Sequence, residues 1–464
     1  MSIESCSRPG TKIQSRLRAL AASESQLEVS QEKLRDAFLR AQRRSVNKVA
    51  DWVRLAGLAR GGSAESNRAP TVLLLKPVGD RCNLACTYCY ETLRQAHLDT
   101  ARVMPTSEMK RTIAKVLAAP SAISEIYLHG GEPLLAGKRF FREFVTAVRA
   151  APGGRDVKLG VQTNGVLIDD EWANMFVQES VKVGISLDGD PIINDMHRIG
   201  LDGRSTYRQA QRGIEILQKF GIAFGVISVF TNDVACMPGA AGQILRHMSA
   251  LGICEFDLHP AFTPEETSGA ASRHNVRAHS YAKFMSSAFD EWLGYAETKP
   301  VVRTFEDFFL ALCGVSSDVC HRSGQCMSIA GVNENGDVQP CTRPFHPRYS
   351  FGNIARAAKF TDIVEARGFA AFENAEAAGQ ASTAHCKWRA FCGNGGCPHE
   401  RFMGGEQHPQ GRHVFCTCDS GEEGGYPALF EHMAARILSL TDQAPLSAVG
   451  GRSDNVPAPS HQSA

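Results

Sequence analysis

The sequence predicts an α/β fold whose main domain is a partial (β/α)6 barrel of the TIM type. From residue 71 onward, strand-like apolar segments alternate with segments of helical periodicity. Six such units predict a parallel sheet with right-handed crossovers, which an open doubly wound sheet would also satisfy. The barrel is favoured because a polar motif ends each of the first four strands, and barrels build their active sites at the carboxyl ends of strands.

The predicted elements divide the chain into a barrel and three flanking regions. Residues 69–300 hold the barrel, and residues 1–68 predict an N-terminal helical extension. Residues 301–440 predict a helical linker and a cysteine-rich domain, and the tail at 441–464 predicts disorder. The predicted strands lie at residues 71–78, 125–130, 157–164, 181–188, 223–230 and 255–262. The predicted helices lie at about residues 107–118, 138–150, 170–179, 205–219 and 240–251.

Composition excludes several classes of partner. The 464 residues carry a net charge of +1, from 50 Lys plus Arg against 49 Asp plus Glu, so nucleic acid is not an expected partner. No apolar run reaches the ~20 residues of a membrane helix, and the N-terminus lacks a secretory signal, so we expect a cytoplasmic protein without a membrane partner. Fifteen cysteines, an odd number, indicate metal ligation rather than a disulfide framework.

Three of the cysteines stand on one short loop directly after the first strand. Cys82, Cys86 and Cys89 have the spacing Cys-x3-Cys-x2-Cys. Three thiolates can hold three irons of a 4Fe-4S cluster and leave the fourth iron open. An electron-transfer cluster normally has four protein ligands, so this loop predicts that another molecule binds the open iron. The alternative, a structural zinc loop, usually shows paired Cys-x2-Cys knuckles.

This loop, followed one strand later by Gly130-Gly131-Glu132-Pro133, resembles the signature of radical S-adenosylmethionine (SAM) enzymes. The resemblance implies that the open iron chelates the methionine part of SAM and that an electron from the cluster cleaves SAM to a 5'-deoxyadenosyl radical. It also implies that Glu132 grips the methionine amino group and that the backbone at Tyr88 meets the adenine. The two glycines would let the backbone approach the ligand closely.

Residues that follow the third and fourth strands carry the same resemblance. It places Ser186 and Asp188 near the ribose and the SAM carboxylate, and it lets Arg198 pair with that carboxylate in a bidentate fork. Gln162 and Asn164 match the family in the same way. The alternatives are an ordinary Asp-Gly turn at Asp188 and a surface arginine at Arg198.

The cysteine-rich region resembles a SPASM domain, which holds auxiliary clusters in radical SAM enzymes that modify peptides and proteins. Its hairpin reads GVNENGDVQPC, with an Asn-Gly turn, and YSFGNI follows. The cysteines of this region are Cys320, Cys326, Cys341, Cys386, Cys392, Cys397, Cys416 and Cys418. By the resemblance the first three and Cys397 hold one auxiliary 4Fe-4S cluster. Zinc ligation is the alternative.

The second auxiliary cluster departs from the family pattern. Thr383 stands where its first cysteine is expected. Cys386 and Cys392 therefore need Cys416, Cys418 or both as partners. We expect Cys416 to be the essential ligand, because it matches the family's final ligand in the run FC.

Two subfamilies compete for the function. The runs LLKPVGDRCNLACTYCYE and FCTCDSGEEGGYPALFEHM resemble anaerobic sulfatase-maturating enzymes, which oxidise Cys or Ser to formylglycine. Those enzymes carry an Asp, acting as the base, directly after the cysteine that matches Cys341, where this chain has Thr342. A hydroxyl cannot serve as a base near neutral pH. The runs LHGGEPLLAG and VQTNGVLIDDEW instead look like peptide maturases that crosslink side chains, including cyclophane-forming members.

The departure at Thr342 favours a peptide maturase. We therefore expect hydrogen abstraction from a side chain of a ribosomally made precursor peptide, followed by an intramolecular crosslink, with an auxiliary cluster accepting the remaining electron. The expected partners are that peptide and an electron donor such as flavodoxin or ferredoxin. The alternatives are a sulfatase-maturating enzyme and, from another class, a non-catalytic iron-sulfur scaffold. A scaffold has no need of a motif that grips SAM.

Overall fold

A computed structural model gives the chain an α/β fold built on one sheet of ten strands. The predicted N-terminal extension at 1–68 lies outside the described residues, as do Cys320, Cys418 and the tail beyond residue 443. The structure describes residues 70–91, 102–118, 122–262, 272–295, 300–312, 326–343, 347–389, 391–392, 396–397, 400, 413–417 and 423–443.

The sheet confirms the predicted order of parallel strands. Its order is β10-β9-β8-β1-β2-β3-β4-β5-β6-β7, and every pair from β8 to β7 is parallel. Each of the six predicted strands appears as one of β1 to β6. The strands are β1 (Val72–Leu75), β2 (Glu125–Leu128), β3 (Lys158–Thr163), β4 (Lys182–Ser186), β5 (Phe224–Phe230), β6 (Glu255–Pro260), β7 (Val301–Val302), β8 (Ile329–Val332), β9 (Asp337–Gln339) and β10 (Gly352–Asn353).

The helices between the strands also match the predicted positions within two residues. In the described part of the chain, no helix is both long and apolar enough to cross a membrane. The helices are α1 (Thr106–Val116), α2 (Gly137–Ala150), α3 (Asp170–Gln178), α4 (Pro191–Asp195), α5 (Tyr207–Lys219), α6 (Asn232–Cys236), α7 (Ala240–Ala250), α8 (Ala278–Leu293), α9 (Arg303–Leu312), α10 (Thr361–Val364), α11 (Arg367–Ser382) and α12 (Gly425–Gln443).

Helical periodicity explains why these segments pack on the sheet. In α2 the apolar residues Phe140, Phe141, Phe144, Val145 and Val148 recur every three or four positions, and all five are buried. This spacing puts them on one face of the helix, which turns toward the core. The strands of the sheet contribute alternate buried residues, such as Leu73 and Leu75 of β1, to the same core.

The cysteine-rich domain adds its first strand directly to the barrel sheet, which the sequence did not predict. Strand β8 pairs in parallel with β1, in the register Leu73 to Ala330 and Leu75 to Val332. Strand β9 then returns antiparallel to β8 across the predicted hairpin, where Gly336 has a φ of 80°. The pairing brings the segment after β9, which carries the auxiliary cysteines, to the side of β1.

Candidate active site

The cysteine loop packs as a small separate core at the end of β1. Cys86 is buried, Cys82 and Cys89 are half-buried, and all three pack with Leu84 and Tyr88. Burial raises the pKa of the Cys82 and Cys86 thiols to about 11, and the charges of neighbouring thiols add to the shift. None of the three is in a disulfide. Three cysteine thiols on one loop are the donor set that a 4Fe-4S cluster with one open iron requires.

A second segment holds the cysteine loop in place. The Ala85 N–H donates to the Ile199 carbonyl at 2.8 Å, and the Thr87 N–H donates to the His197 carbonyl at 3.0 Å. The His197 ring also bonds the Thr87 hydroxyl through Nδ1 at 2.8 Å and the Thr231 hydroxyl through Nε2 at 3.0 Å. His197 therefore ties the loop to the start of α6. No motif or spacing around His197 in the sequence indicates this role.

His197 also lies in a cluster that has the composition of a metal site. A ligand atom from each of His197, Asp233 and His274 lies within 4.8 Å of the others. Both ring nitrogens of His197 already have threonine partners, and His274 Nε2 accepts a hydrogen bond from Arg273. These hydrogen bonds account for His197, whereas the buried His274 Nδ1 has no hydrogen-bond partner among the described residues and lies 4.0 Å from Asp233 Oδ2.

Glu132 is fully buried directly after β2, and its carboxylate accepts three hydrogen bonds. The donors are the Asn164 N–H at 2.8 Å, the Thr163 hydroxyl at 2.8 Å and the Leu134 N–H at 3.0 Å. Burial raises the pKa of this carboxyl to about 7 despite those donors. A carboxylate offers about four acceptor sites, so Glu132 can still accept from an ammonium group.

The two glycines before Glu132 are required by close backbone approach. A Cβ on Gly131 would lie 2.1 Å from the Arg81 carbonyl oxygen, and a Cβ on Gly130 would lie 2.6 Å from the Gly79 carbonyl oxygen. Gly130 also has a φ of 114°. The motif therefore passes directly against the chain that leads into the cysteine loop. Pro133 follows as the buried first residue of a short 3-10 helix that Glu132 caps.

Asp188, Arg198 and Tyr88 form a buried polar group beside the cysteine loop. The Tyr88 hydroxyl donates to Asp188 Oδ2, and Arg198 Nε lies 3.2 Å from the same oxygen. The Nε–H finds no well-directed hydrogen bond, so this contact is an ion pair. Arg198 Nη1 lies 3.7 Å from Cys86 Sγ. Arg198 is therefore not a surface arginine, and it stands between Asp188 and the cluster loop.

The remaining predicted residues lie on adjacent strand ends. Gln162 Nε2 donates to the Ser186 hydroxyl at 3.1 Å, in the space that a side chain at Gly184 would fill. Asn164 Nδ2 donates to Asn83 Oδ1 at 2.8 Å and lies 3.7 Å from Cys82 Sγ. The structure thus brings these residues to the same carboxyl edge of the sheet as the cysteine loop. Their contacts with SAM remain a prediction.

The auxiliary region is described at Cys326, Cys341, Cys386, Cys392, Cys397 and Cys416. Gly331 of β8 lies against the Cys341–Thr342 backbone, since a Cβ there would be 2.5 Å from the Cys341 carbonyl oxygen. Thr383 ends α11, and its hydroxyl donates to the Gln380 carbonyl at 3.1 Å. The hydroxyl therefore serves the helix end rather than replacing the missing thiolate.

Comparison with known proteins agrees with this geometry. The profile of the radical SAM superfamily matches residues 77–235, and that of the SPASM iron-sulfur cluster-binding domain matches residues 320–392. The serine-type anaerobic sulfatase-maturating enzyme of Klebsiella aerogenes is 30% identical over 292 residues, or 61% of this chain and 70% of that enzyme. The cysteine-type enzyme of Clostridium perfringens (strain 13 / Type A) is 26% identical over 386 residues, or 80% of this chain and 99% of that enzyme.

A solved structure shows the same fold. Native anSMEcpe with bound AdoMet has a TM-score of 0.69 at 23% identity, covering 80% of this chain and 99% of that one. The chain belongs to the radical SAM superfamily, and it is an enzyme whose cofactors are SAM, a SAM-binding 4Fe-4S cluster and auxiliary 4Fe-4S clusters of a SPASM domain. When bound, the reduced cluster and SAM supply a radical that removes a hydrogen atom from a carbon. Cys82, Cys86 and Cys89 would hold that cluster.

Replacing Cys82, Cys86 and Cys89 together with Ala should abolish 5'-deoxyadenosine formation and leave the auxiliary iron bound, because thiolates are needed to retain the irons. Chromatography of the nucleoside and iron analysis measure the two effects. Cys236→Ala is the control, since this free cysteine is exposed. Unchanged SAM cleavage in the triple variant would refute the assignment of the loop.

Glu132→Gln should weaken SAM binding about 10- to 100-fold, because a hydrogen bond to a charged group is worth about 1.5–3 kcal/mol. Calorimetric titration of the cluster-loaded protein measures this affinity. Glu171→Gln is the matched control, because Glu171 is half-exposed and its partners are Lys138 and Arg142 on the surface. Equal affinities of wild type and Glu132→Gln would show that this carboxylate does not contact SAM.

The second auxiliary site can be tested at its last two cysteines. We expect Cys416→Ala to lose about one cluster's iron and Cys418→Ala to lose little, because alternate residues of an extended segment point to opposite faces. Iron per protein is the measurement. Loss from Cys418→Ala alone would reverse the ligand assignment, and loss from neither would show that this site holds no cluster.

Proposed function

We propose that the enzyme oxidises one side chain of a peptide or protein, and the similarity to serine-type and cysteine-type anaerobic sulfatase-maturating enzymes supports this proposal. The substrate carbon loses a hydrogen atom to the SAM-derived radical, and the substrate then loses one electron and one proton. For a cysteine this leaves a thioaldehyde, which water converts to formylglycine and hydrogen sulfide. For a serine the same loss of two hydrogens gives formylglycine directly.

One observation of the structure carries the proposal. The guanidinium carbon of Arg343, two residues after Cys341, lies 6.0 Å from the ring centroid of Tyr90, the residue after Cys89. A ligand-bearing segment of the auxiliary domain therefore borders the radical-generating loop. An oxidation needs an electron acceptor close to the site of hydrogen removal, and an auxiliary cluster at Cys341 would meet that need.

The comparisons support an oxidation of the sulfatase-maturating type better than the crosslinking reaction, which the sequence analysis favoured because of Thr342. The similar enzymes include both serine-type and cysteine-type sulfatase-maturating enzymes, and one of them is matched over nearly its entire length. Solved structures with the same fold include anSMEcpe with bound AdoMet and Cp18Cys peptide, which supports a peptide substrate. Reduction of the cluster requires an external electron donor, and a flavodoxin or ferredoxin remains the expected partner.

Crosslinking stays the second candidate because of one residue. Thr342 is 5% exposed and stands where the sulfatase-maturating enzymes carry the Asp that acts as base. Its hydroxyl is not a base near neutral pH. In a crosslinking reaction the substrate radical bonds to a second side chain before it loses its electron and proton. The product then lacks two hydrogens and carries no aldehyde.

The test is incubation of the reduced, cluster-loaded enzyme with sulfatase-type peptides that carry Cys, Ser or, as control, Ala at the target position. Aldehyde formation, detected with a hydrazine probe at a rate comparable to 5'-deoxyadenosine release, is the expected result with Cys or Ser. Release of 5'-deoxyadenosine without aldehyde would contradict the proposal. Co-expression with a small open reading frame beside the gene, followed by mass spectrometry of its peptide, would then test for a crosslink.

A variant of Thr342 sharpens this test. Thr342→Asp should raise the rate of aldehyde formation at least tenfold, because a positioned general base contributes about 10²–10⁴ in rate. Thr342→Asn is the matched control, since it has the same shape as Asp but no basic group. Equal rates for the Asp and Asn variants would show that position 342 does not receive the substrate proton.

A further inference from the structure

A buried charge network joins the cysteine-bearing segments of the SPASM domain. Glu400 Oε1 accepts a hydrogen bond from Arg343 Nη1 at 2.7 Å, and Glu400 Oε2 bonds His413 Nε2. His413 is fully buried and Glu400 is 6% exposed. Although burial opposes ionisation, His413 and Arg343 hold the pKa of Glu400 well below its usual range. Glu400 and Arg343 therefore form a buried ion pair, and His413 is hydrogen-bonded to the same carboxylate.

The orientation of the histidine in this network is fixed. The Phe415 N–H donates to His413 Nδ1 at 3.0 Å, so the ring proton must be on Nε2, where it is donated to Glu400. Gly396 has a φ of 78°, and a Cβ there would lie 2.6 Å from His413 Cδ2. Gly396 directly precedes Cys397. The absence of a side chain at that position lets the imidazole lie against the turn that carries this cysteine.

Two members of the network are hydrogen-bonded through their backbones to predicted ligands. The Glu400 N–H donates to the Cys397 carbonyl at 3.1 Å, and the Cys416 N–H donates to the His413 carbonyl at 2.8 Å. The Glu400–His413 bond therefore connects a segment assigned to the first auxiliary cluster with one assigned to the second. Changing either side chain would free these two short segments to move apart.

Arg343 extends the network to two more ligand segments. It stands two residues after Cys341 and lies against Tyr90, which follows Cys89. Its guanidinium also interacts electrostatically with Cys397. A fixed positive charge beside thiolate ligands stabilises the reduced, more negative state of an iron-sulfur cluster, and net charge and hydrogen bonds are known to set cluster potentials.

A buried ion network is expensive to build, because its charged groups lose their hydration. Apolar residues of similar volume could hold the same segments together. Apolar residues could not, however, place a positive charge beside Tyr90 that also interacts with Cys397. Groups that hold and orient metal ligands typically change metal affinity about 10- to 100-fold when they are mutated.

We propose that Arg343, Glu400 and His413 are positioning residues of the auxiliary clusters. Glu400 and His413 hold the segments of Cys397 and Cys416 in register, and Arg343 raises the reduction potential of the cluster that Cys341 and Cys397 hold. A higher potential makes that cluster a better acceptor for the electron that the oxidised substrate loses. The proposal rests on the auxiliary clusters and not on which side chain is oxidised or what bond is formed.

The test uses the full chain with Cys82, Cys86 and Cys89 replaced by Ala, so that the electron paramagnetic resonance signal comes from auxiliary clusters alone. Into this background we place Arg343→Gln, Arg343→Lys, Glu400→Gln and, as matched control, Glu431→Gln. Glu431 is half-exposed and pairs with Lys387 in the same domain. Iron per protein, iron loss to a chelator and a redox titration are measured for each.

We expect Glu400→Gln to lose iron to the chelator about 10- to 100-fold more readily than the background protein. Arg343→Gln should lower the midpoint potential of one auxiliary cluster, whereas Arg343→Lys, which keeps the charge, and Glu431→Gln should not. If Glu400→Gln fails to fold, Arg343→Gln still tests the proposal. Unchanged iron retention in Glu400→Gln, or an unchanged potential in Arg343→Gln, would overturn the corresponding part of the proposal.

The test is independent of the substrate. The reduction potentials and iron contents of these variants do not depend on whether the enzyme forms an aldehyde on sulfatase-type peptides. Absence of auxiliary iron from the background protein would overturn the positioning role, and it would do so whatever product the enzyme makes.

Discussion

The parallel hydrogen bonding of β1 to a strand on each side is the constraint on which the rest of the structure depends. The His129 N–H donates to the Leu75 carbonyl at 2.8 Å on the β2 side, and the Lys76 N–H donates to the Val332 carbonyl at 2.8 Å on the β8 side. The cysteine loop leaves the sheet at this point. The four residues of β1 thus fix the relative positions of the cysteine loop, the motif that contains Glu132 and the hairpin of the auxiliary domain.

Glu132 and Asp188 are buried carboxylates next to that loop, and their different hydrogen-bond and charge partners suit them to different roles. A buried carboxylate needs hydrogen bonds or an opposite charge to offset desolvation. Glu132 obtains mostly neutral donors and keeps acceptor capacity, so it suits a cationic ligand group. Asp188 is instead neutralised by Arg198, whose guanidinium reaches toward Cys86. A carboxylate that can accept further hydrogen bonds and a guanidinium beside the same loop suit the ammonium and the carboxylate of one amino-acid ligand.

Local sequence signals predicted the elements and the first cluster, but not the long-range contacts. The strand and helix positions followed from apolar periodicity, and the cysteine loop from its spacing. The β8 to β1 pairing joins residues more than 250 positions apart, and nothing in either strand specifies its partner. The same is true of His197, which holds the cysteine loop from 110 residues away, and of Glu400 and His413, whose roles depend on a turn at Gly396.

Threonine replaces an ionisable residue at two places that the family pattern singles out, and the structure gives the two replacements different consequences. Thr383 lies at the end of α11, where its hydroxyl donates to the Gln380 carbonyl. The local fold therefore offers no ligand at this position. Thr342 is buried beside Arg343, whose guanidinium is paired with Glu400. Replacing a negative residue with a neutral one next to a fixed guanidinium makes the surroundings of Cys341 more positive. Such surroundings favour electron acceptance by a cluster at Cys341, and they leave the substrate proton to a group other than residue 342.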